Sequence, residues 1–276
     1  MTDVLNGQFT INFEINDRTK NFPQRPVSVH ASQPELDDLV RDGFLIRRGL
    51  IPAEWIEGFG EALKEIAAGE SGKKGAEELE GNGLYFRSLL QKSEAFHRMI
   101  KFEPTLSIGR ALLGPQVSFD MEARIALPGV AGAGVPWHIH MRVIPDPMPP
   151  FFCYPHSVHG LIYLDSVGDD EGPLCVIPGS HVNPRMELDG TYDKHPDEVQ
   201  LTFNPGDTLI MHGNLWHRTV PTNADCKQRR LVLFGYAPSW IKNDLERGVK
   251  TDGSLTDMLR KTGDAEMIEL LDGFHW

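Results

Sequence analysis

Hydrophobic positions change their rhythm near Gly114, and the two halves of the chain predict different kinds of structure. Residues 1–32 mix short apolar pairs with Asn, Pro and charged residues, which reads as an irregular arm with one strand at 8–14. From Gln33 the run Pro34-Glu-Leu-Asp-Asp-Leu-Val-Arg-Asp-Gly begins acidic and closes on Gly43, the pattern of a helix with a glycine stop. A strand is expected from Phe44. Pro52 then stands where a helix starts, and Trp55, Phe59, Leu63 and Ile66 follow at helical spacing. The Gly/Glu/Lys-rich stretch at 68–82 predicts a loop, with helices at about 91–101 and 103–113, so the first ~115 residues read as mostly helical.

After Gly114 short apolar runs fall at about 117–127, 135–142, 158–166, 173–178, 199–203, 207–211, 215–220 and 230–237, separated by Gly, Pro, Asn and Asp. Eight short strands with frequent turn residues predict a sandwich or jelly roll, a mainly β fold with flanking helices, rather than a parallel α/β sheet. Residues 240–276 read as one or two short helices. The expected organisation is a single domain over 1–276: a mostly helical part at 1–115, a β core at 116–238 and C-terminal helices from 239.

Composition adds exclusions. A formal net charge of −12, with no basic cluster interleaved with aromatics, disfavours a nucleic-acid partner. Neither a secretion signal nor an 18-residue apolar span is found, so no membrane association is expected. Cys153, Cys175 and Cys226 are too few and too scattered for a disulfide framework or a thiolate metal site, which fits a reducing cytoplasm.

Chemistry concentrates in the histidines. His138 and His140 stand two apart in Pro136-Trp-His-Ile-His-Met, and a strand turns positions i and i+2 to one side, so two imidazoles can reach one metal. His217 closes the segment Gly206-Asp-Thr-Leu-Ile-Met-His-Gly-Asn-Leu-Trp-His, where a hairpin turning at Asn214 would bring it beside the pair. Among the other histidines, His181 is read as ordering a loop, while His156 and His159 lie three apart and so on opposite faces of an ideal strand. Asp146, in a proline-rich stretch, is a rival carboxylate ligand.

The blocks around these residues resemble the phytanoyl-CoA dioxygenase family of Fe(II)- and 2-oxoglutarate-dependent oxygenases. The resemblance covers roughly 135–238 and rests on Trp137-His138-x-His140, Glu171-Gly-Pro-Leu, Pro178-Gly-Ser-His181, Pro205-Gly-Asp207, the segment ending in His217, Asn223, and Arg229-Arg230. It implies a double-stranded β-helix core of the jelly-roll, cupin-like kind, Fe(II) held by His138, His140 and His217, and 2-oxoglutarate gripped through its distal carboxylate by Arg229, with Arg230 as the alternative. In that family the metal motif is H-x-D, and His140 takes the place of the aspartate. Neutral imidazole there leaves an iron complex one unit more positive.

The expected activity is therefore a non-heme iron oxygenase acting on a small molecule with dioxygen and 2-oxoglutarate, whether as monomer or homo-oligomer. Two alternatives stay open at this point. One is a three-histidine iron dioxygenase whose substrate itself chelates the metal, and the other is a zinc hydratase or hydrolase.

Overall fold

The computed structural model describes residues 9–16, 18–70, 76–79, 83–140, 156–183, 188, 190–239 and 255–271. The amino-terminal arm forms β1 (Phe9–Glu14) and β2 (Gln24–Val29), paired antiparallel with each other. Next comes α1 (Gln33–Asp42), whose start is a capping box: Glu35 N donates to Ser32 Oγ, and Ser32 N donates to Glu35 Oε2 at 2.7 Å. Gly43, at φ 83°, ends the helix in the left-handed conformation that glycine adopts without a Cβ clash. Then follow β3 (Phe44–Arg47), α2 (Ala53–Glu70), β4 (Ala76–Leu79), β5 (Gly83–Phe86), α3 (Leu89–Lys92), a 3-10 stretch at Glu94–Met99 and α4 (Glu103–Leu113).

The eight strands expected after Gly114 all form: β6 (Val117–Ala126), β7 (Val135–His138), β8 (Val158–Tyr163), β9 (Leu174–Val176), β10 (Val199–Leu201), β11 (Thr208–His212), β12 (His217–Thr219) and β13 (Arg229–Pro238). Two short helices, α5 (Leu255–Arg260) and α6 (Ala265–Leu271), end the described chain. A seven-stranded sheet runs β3-β11-β8-β13-β6-β5-β4 and a four-stranded sheet runs β10-β9-β12-β7, antiparallel throughout. No helix among the described residues is long and apolar enough to cross a membrane.

Period-two alternation assigns the two faces of the large sheet. Phe119, Met121 and Ala123 of β6 and Val232, Phe234 and Tyr236 of β13 pack with Phe59, Leu63 and Phe96 in one core under the helices. On the other face Leu161, Leu209 and Leu231 meet Leu174, Val176 and Leu201 of the small sheet. The large sheet is thus covered by helices on one side and by the second sheet on the other, which is the jelly-roll arrangement.

Several expectations are corrected. The first ~115 residues carry five strands beside their helices where two were expected; β2, β4 and β5 are short and gain their stability from neighbouring strands. Within the expected loop at 68–82, α2 continues to Glu70 and 76–79 is strand. The expected helix at 91–101 is broken at Ser93, whose extended backbone (φ −154°, ψ 135°) divides α3 from the 3-10 stretch. The strand expected at 135–142 ends at His138.

Candidate metal centre

β12 lies between β9 and β7 in the small sheet, and its register sets His217 directly opposite His138. The hairpin expected to deliver His217 does not exist. β11 belongs to the large sheet and β12 to the small one, so residues 213–216 carry the chain from one sheet to the other. Two contacts fix that crossing: Trp216 N donates to Ser180 Oγ at 3.0 Å, and Ile177 N donates to Trp216 O at 3.0 Å. The Pro178-Gly-Ser-His turn, with Gly179 at φ 76°, therefore aims His217. At the head of β11, Asp207 accepts from Gly49 N, Asn204 N and Arg48, which locks the Pro-Gly-Asp turn.

Carbonyl oxygens only accept, so the short contacts of His138 Nδ1 with Pro136 O and of His217 Nδ1 with Leu215 O, both 2.8 Å, place a proton on each Nδ1. Each ring then turns its Nε2 lone pair inward. His140 lies past the end of β7, with its main-chain N donating to Gly213 O at 2.7 Å. Its Nε2 stands 3.1 Å from His217 Nε2, and one nitrogen from each of the three rings lies within 4.8 Å of the others. Donors about 2.1 Å from one ion and roughly at right angles stand about 3 Å apart, so the donor set fits a metal. Burial, and after it mainly the neighbouring imidazoles, pushes His140 and His217 well below the ordinary histidine range, so both are neutral at pH 7 with lone pairs to give. His138, His140 and His217 are positioned to bind a metal. No carboxylate belongs to this group among the described residues.

Arg229 and Arg230 go to opposite sides of β13. Arg230 turns toward α2 and forms a two-point pair with Asp165, Nε to Oδ2 at 2.9 Å and Nη2 to Oδ1 at 2.7 Å. Arg229 faces the space between the sheets, only 7% exposed, and donates to the carbonyls of Glu171, Gly172 and Ala133. Among the described residues no carboxylate pairs with it. Burial lowers its pKa to about 10, so it stays charged at neutral pH. A buried cation answered only by carbonyl dipoles fits a carboxylate ligand.

Two residues that the sequence reading missed share the crevice with Arg229: Arg124 on β6 and Thr219 on β12. Thr219 lies two residues past His217 and so on the same face. Arg124 belongs to the polar phase of β6, with Asp120 and Glu122, and its guanidinium lies over the Tyr85 ring. The alternation Val117-Ser-Phe-Asp-Met-Glu-Ala-Arg-Ile was the available signal, but a polar strand face ordinarily means solvent.

Of the remaining histidines, His159 lies flat against His140, while His181 and His212 are near each other, ring centroids 5.2 Å apart. Trp137 and Trp216 are core residues. Asp146, Phe151, Phe152 and Tyr154 lie outside the described residues.

Similarity to known proteins runs in the same direction. The chain is 29% identical over 161 residues to an ectoine dioxygenase of Stutzerimonas stutzeri (strain A1501), covering 56% of this chain and 52% of that protein. It spans about half the length of the curated relatives it matches. In fold it is similar to the carbocyclase SnoK from nogalamycin biosynthesis, described as non-heme and alpha-ketoglutarate dependent (TM-score 0.62, 17% identity, 79% of this chain and 88% of that one). It is similar too to HygX from Streptomyces hygroscopicus, solved with nickel and 2-oxoglutarate (TM-score 0.59, 18% identity, 78% and 92%). The phytanoyl-CoA dioxygenase (PhyH) family pattern matches residues 39–230, a span that includes His138, His140, His217 and Arg229. The chain belongs to the phytanoyl-CoA dioxygenase family.

Proposed function

We propose that this protein is a non-heme Fe(II) oxygenase, a single oxygenase domain over 1–276, that oxidises a C–H bond of a small molecule with dioxygen and 2-oxoglutarate. The observation that carries the reading is the convergence of three imidazoles near a buried arginine that lacks an acid partner among the described residues. Iron and 2-oxoglutarate supply, when bound, the oxidation of a C–H bond by dioxygen coupled to breakdown of the 2-oxo acid to succinate and carbon dioxide.

The chain's own groups have defined tasks. His138, His140 and His217 hold the metal through neutral nitrogens, and the Pro136 and Leu215 carbonyls fix two of those rings in the ligating tautomer. Arg229 grips the distal carboxylate, with its orientation set by the Glu171, Gly172 and Ala133 carbonyls, and Thr219 adds a hydroxyl to the same seat. Leu231 and the apolar layer between the sheets keep water from the anion.

The test is to load the protein with iron anaerobically, add 2-oxoglutarate and admit oxygen. Succinate should form, and His217→Ala should abolish it. Iron-loaded protein that binds 2-oxoglutarate yet makes no succinate overturns the reading. His140 in the aspartate position favours a second one, a three-histidine dioxygenase whose substrate chelates the iron. His140→Asp separates the two: succinate formation gained only in the variant assigns the native protein to the second.

A further inference from the structure

His138 and His217 each have a carbonyl fixing the nitrogen that faces away from the metal position. Among the described residues no carbonyl does this for His140, and β7 stops two residues before it. The ring of His140 is nevertheless confined. His159 of β8 lies against it nearly parallel, centroids 3.8 Å apart and planes 26° from each other.

His159 is itself held by Ser157. Its Nε2 is 2.9 Å from Ser157 Oγ. Its register neighbour on β13 is Gly235, which has no side chain and so leaves room for the ring beside it. The same short segment also holds the main chain of His140: Gly213 N donates to Ser157 O at 2.9 Å, and His140 N donates to Gly213 O at 2.7 Å. Gly213 must be glycine there, because a Cβ would collide with Ser157 Oγ.

Taking His140 as a metal ligand, we infer that His159, braced by Ser157, is the positioning residue for His140, holding its ring by face-to-face contact where the other two ligands are held by carbonyls. The device suits an imidazole in particular. An aspartate at position 140 would present no aromatic ring to stack upon, so the H-x-H motif and His159 form one functional unit.

The experiment titrates cobalt(II) alone into the metal-free protein and records affinity, the visible cobalt spectrum and the melting temperature of the metal-free form. The variants are His159→Leu, which keeps bulk without a ring, His159→Phe, which keeps the flat ring without nitrogens, and Ser157→Ala. Loss of a group that orients a ligand lowers metal affinity by about 10- to 100-fold, so His159→Leu should fall in that range with an altered spectrum. His159→Phe keeps the stacked ring but loses the Ser157 hydrogen bond, as Ser157→Ala does, so both should stay within about threefold of wild type. Wild-type affinity and spectrum in His159→Leu overturn the inference, as does equal loss in the Leu and Phe variants. If His159→Leu does not fold, a loss of about tenfold or more in His159→Phe overturns it. Failure of the metal reading itself looks different: wild type would not bind cobalt, or His217→Ala would bind it as wild type does.

Discussion

Replacing Arg229 by Gln removes a buried cation that faces the crevice and that no carboxylate pairs with among the described residues. The side chain is 7% exposed and its charge is already partly answered by the carbonyls of Glu171, Gly172 and Ala133. Deleting one partner of a buried, hydrogen-bonded charge pair costs roughly 2–5 kcal/mol, and the carbonyl contacts, which survive without the ligand, place this case at the lower end. A loss of about 2–3 kcal/mol weakens 2-oxoglutarate binding by about 30- to 150-fold. The assay is calorimetric titration of 2-oxoglutarate into nickel-loaded protein, nickel being chosen as a divalent ion that would not start turnover. Nickel affinity should stay as in wild type, because Arg229 is not in the ligand group. Arg230→Gln is the control: its pair with Asp165 lies on the opposite face, so it should lower the melting temperature and leave the dissociation constant alone. A folded, nickel-loaded Arg229→Gln protein that binds 2-oxoglutarate like wild type refutes the assignment, and so does an equal loss in Arg230→Gln.

Other residues give independent expectations. Burial first, then the charges of His181 and His156, lower the His212 pKa from 6.5 to about 4, so the unfolded chain takes up a proton that the folded one refuses. Stability from this source is complete above pH 6.5 and is lost as pH falls toward 4, by roughly 3 kcal/mol at about 1.36 kcal/mol per pH unit. Urea unfolding should show a smaller acid loss in His212→Gln than in wild type, and an identical loss would count against it. Gly160→Ala should lower the melting temperature, since the new Cβ would overlap the ring of Phe234, its register partner, at an overpacking cost of roughly 1–3 kcal/mol. Glu198→Gln breaks the buried two-point pair with Arg218 behind His217 and should cost roughly 3–5 kcal/mol in denaturant unfolding, with an unchanged midpoint as the contrary result.

The β core was legible because its strands obey period-two alternation, and β13 is the clearest case: one phase, Arg230, Val232, Phe234 and Tyr236, meets the helices, and the other, beginning at Arg229 and Leu231, meets the second sheet. The path of the chain between sheets was not legible. Gly213-Asn-Leu-Trp216 has the composition of a hairpin turn, and nothing local says that the next strand pairs with β9 and β7 instead of β11. Strand partners are chosen by contacts distant in sequence, and the same holds for β2 and β4, whose short, largely polar sequences carry little preference of their own. Arg124 was hidden by a rule that usually holds. Here the polar phase of β6 lines the space between the sheets and the apolar phase meets the helices.

That inversion bears on what the site selects. His138, His140 and His217, positioned to bind a metal, are imidazoles and would contribute no negative charge to a divalent ion. Arg229 and Arg124 line the adjoining crevice and add positive charge to it, and the field of Arg124 reaches His140, His217 and Arg229. A dianion with carboxylates at both ends answers both demands together, one end toward the metal position and the other toward Arg229. Where a family aspartate would cancel one unit of metal charge from within the protein, His140 leaves that unit to be met by what binds. The attraction for an anionic partner is therefore greater in this chain than in one bearing the carboxylate, and Arg229 directs it to one end of the crevice.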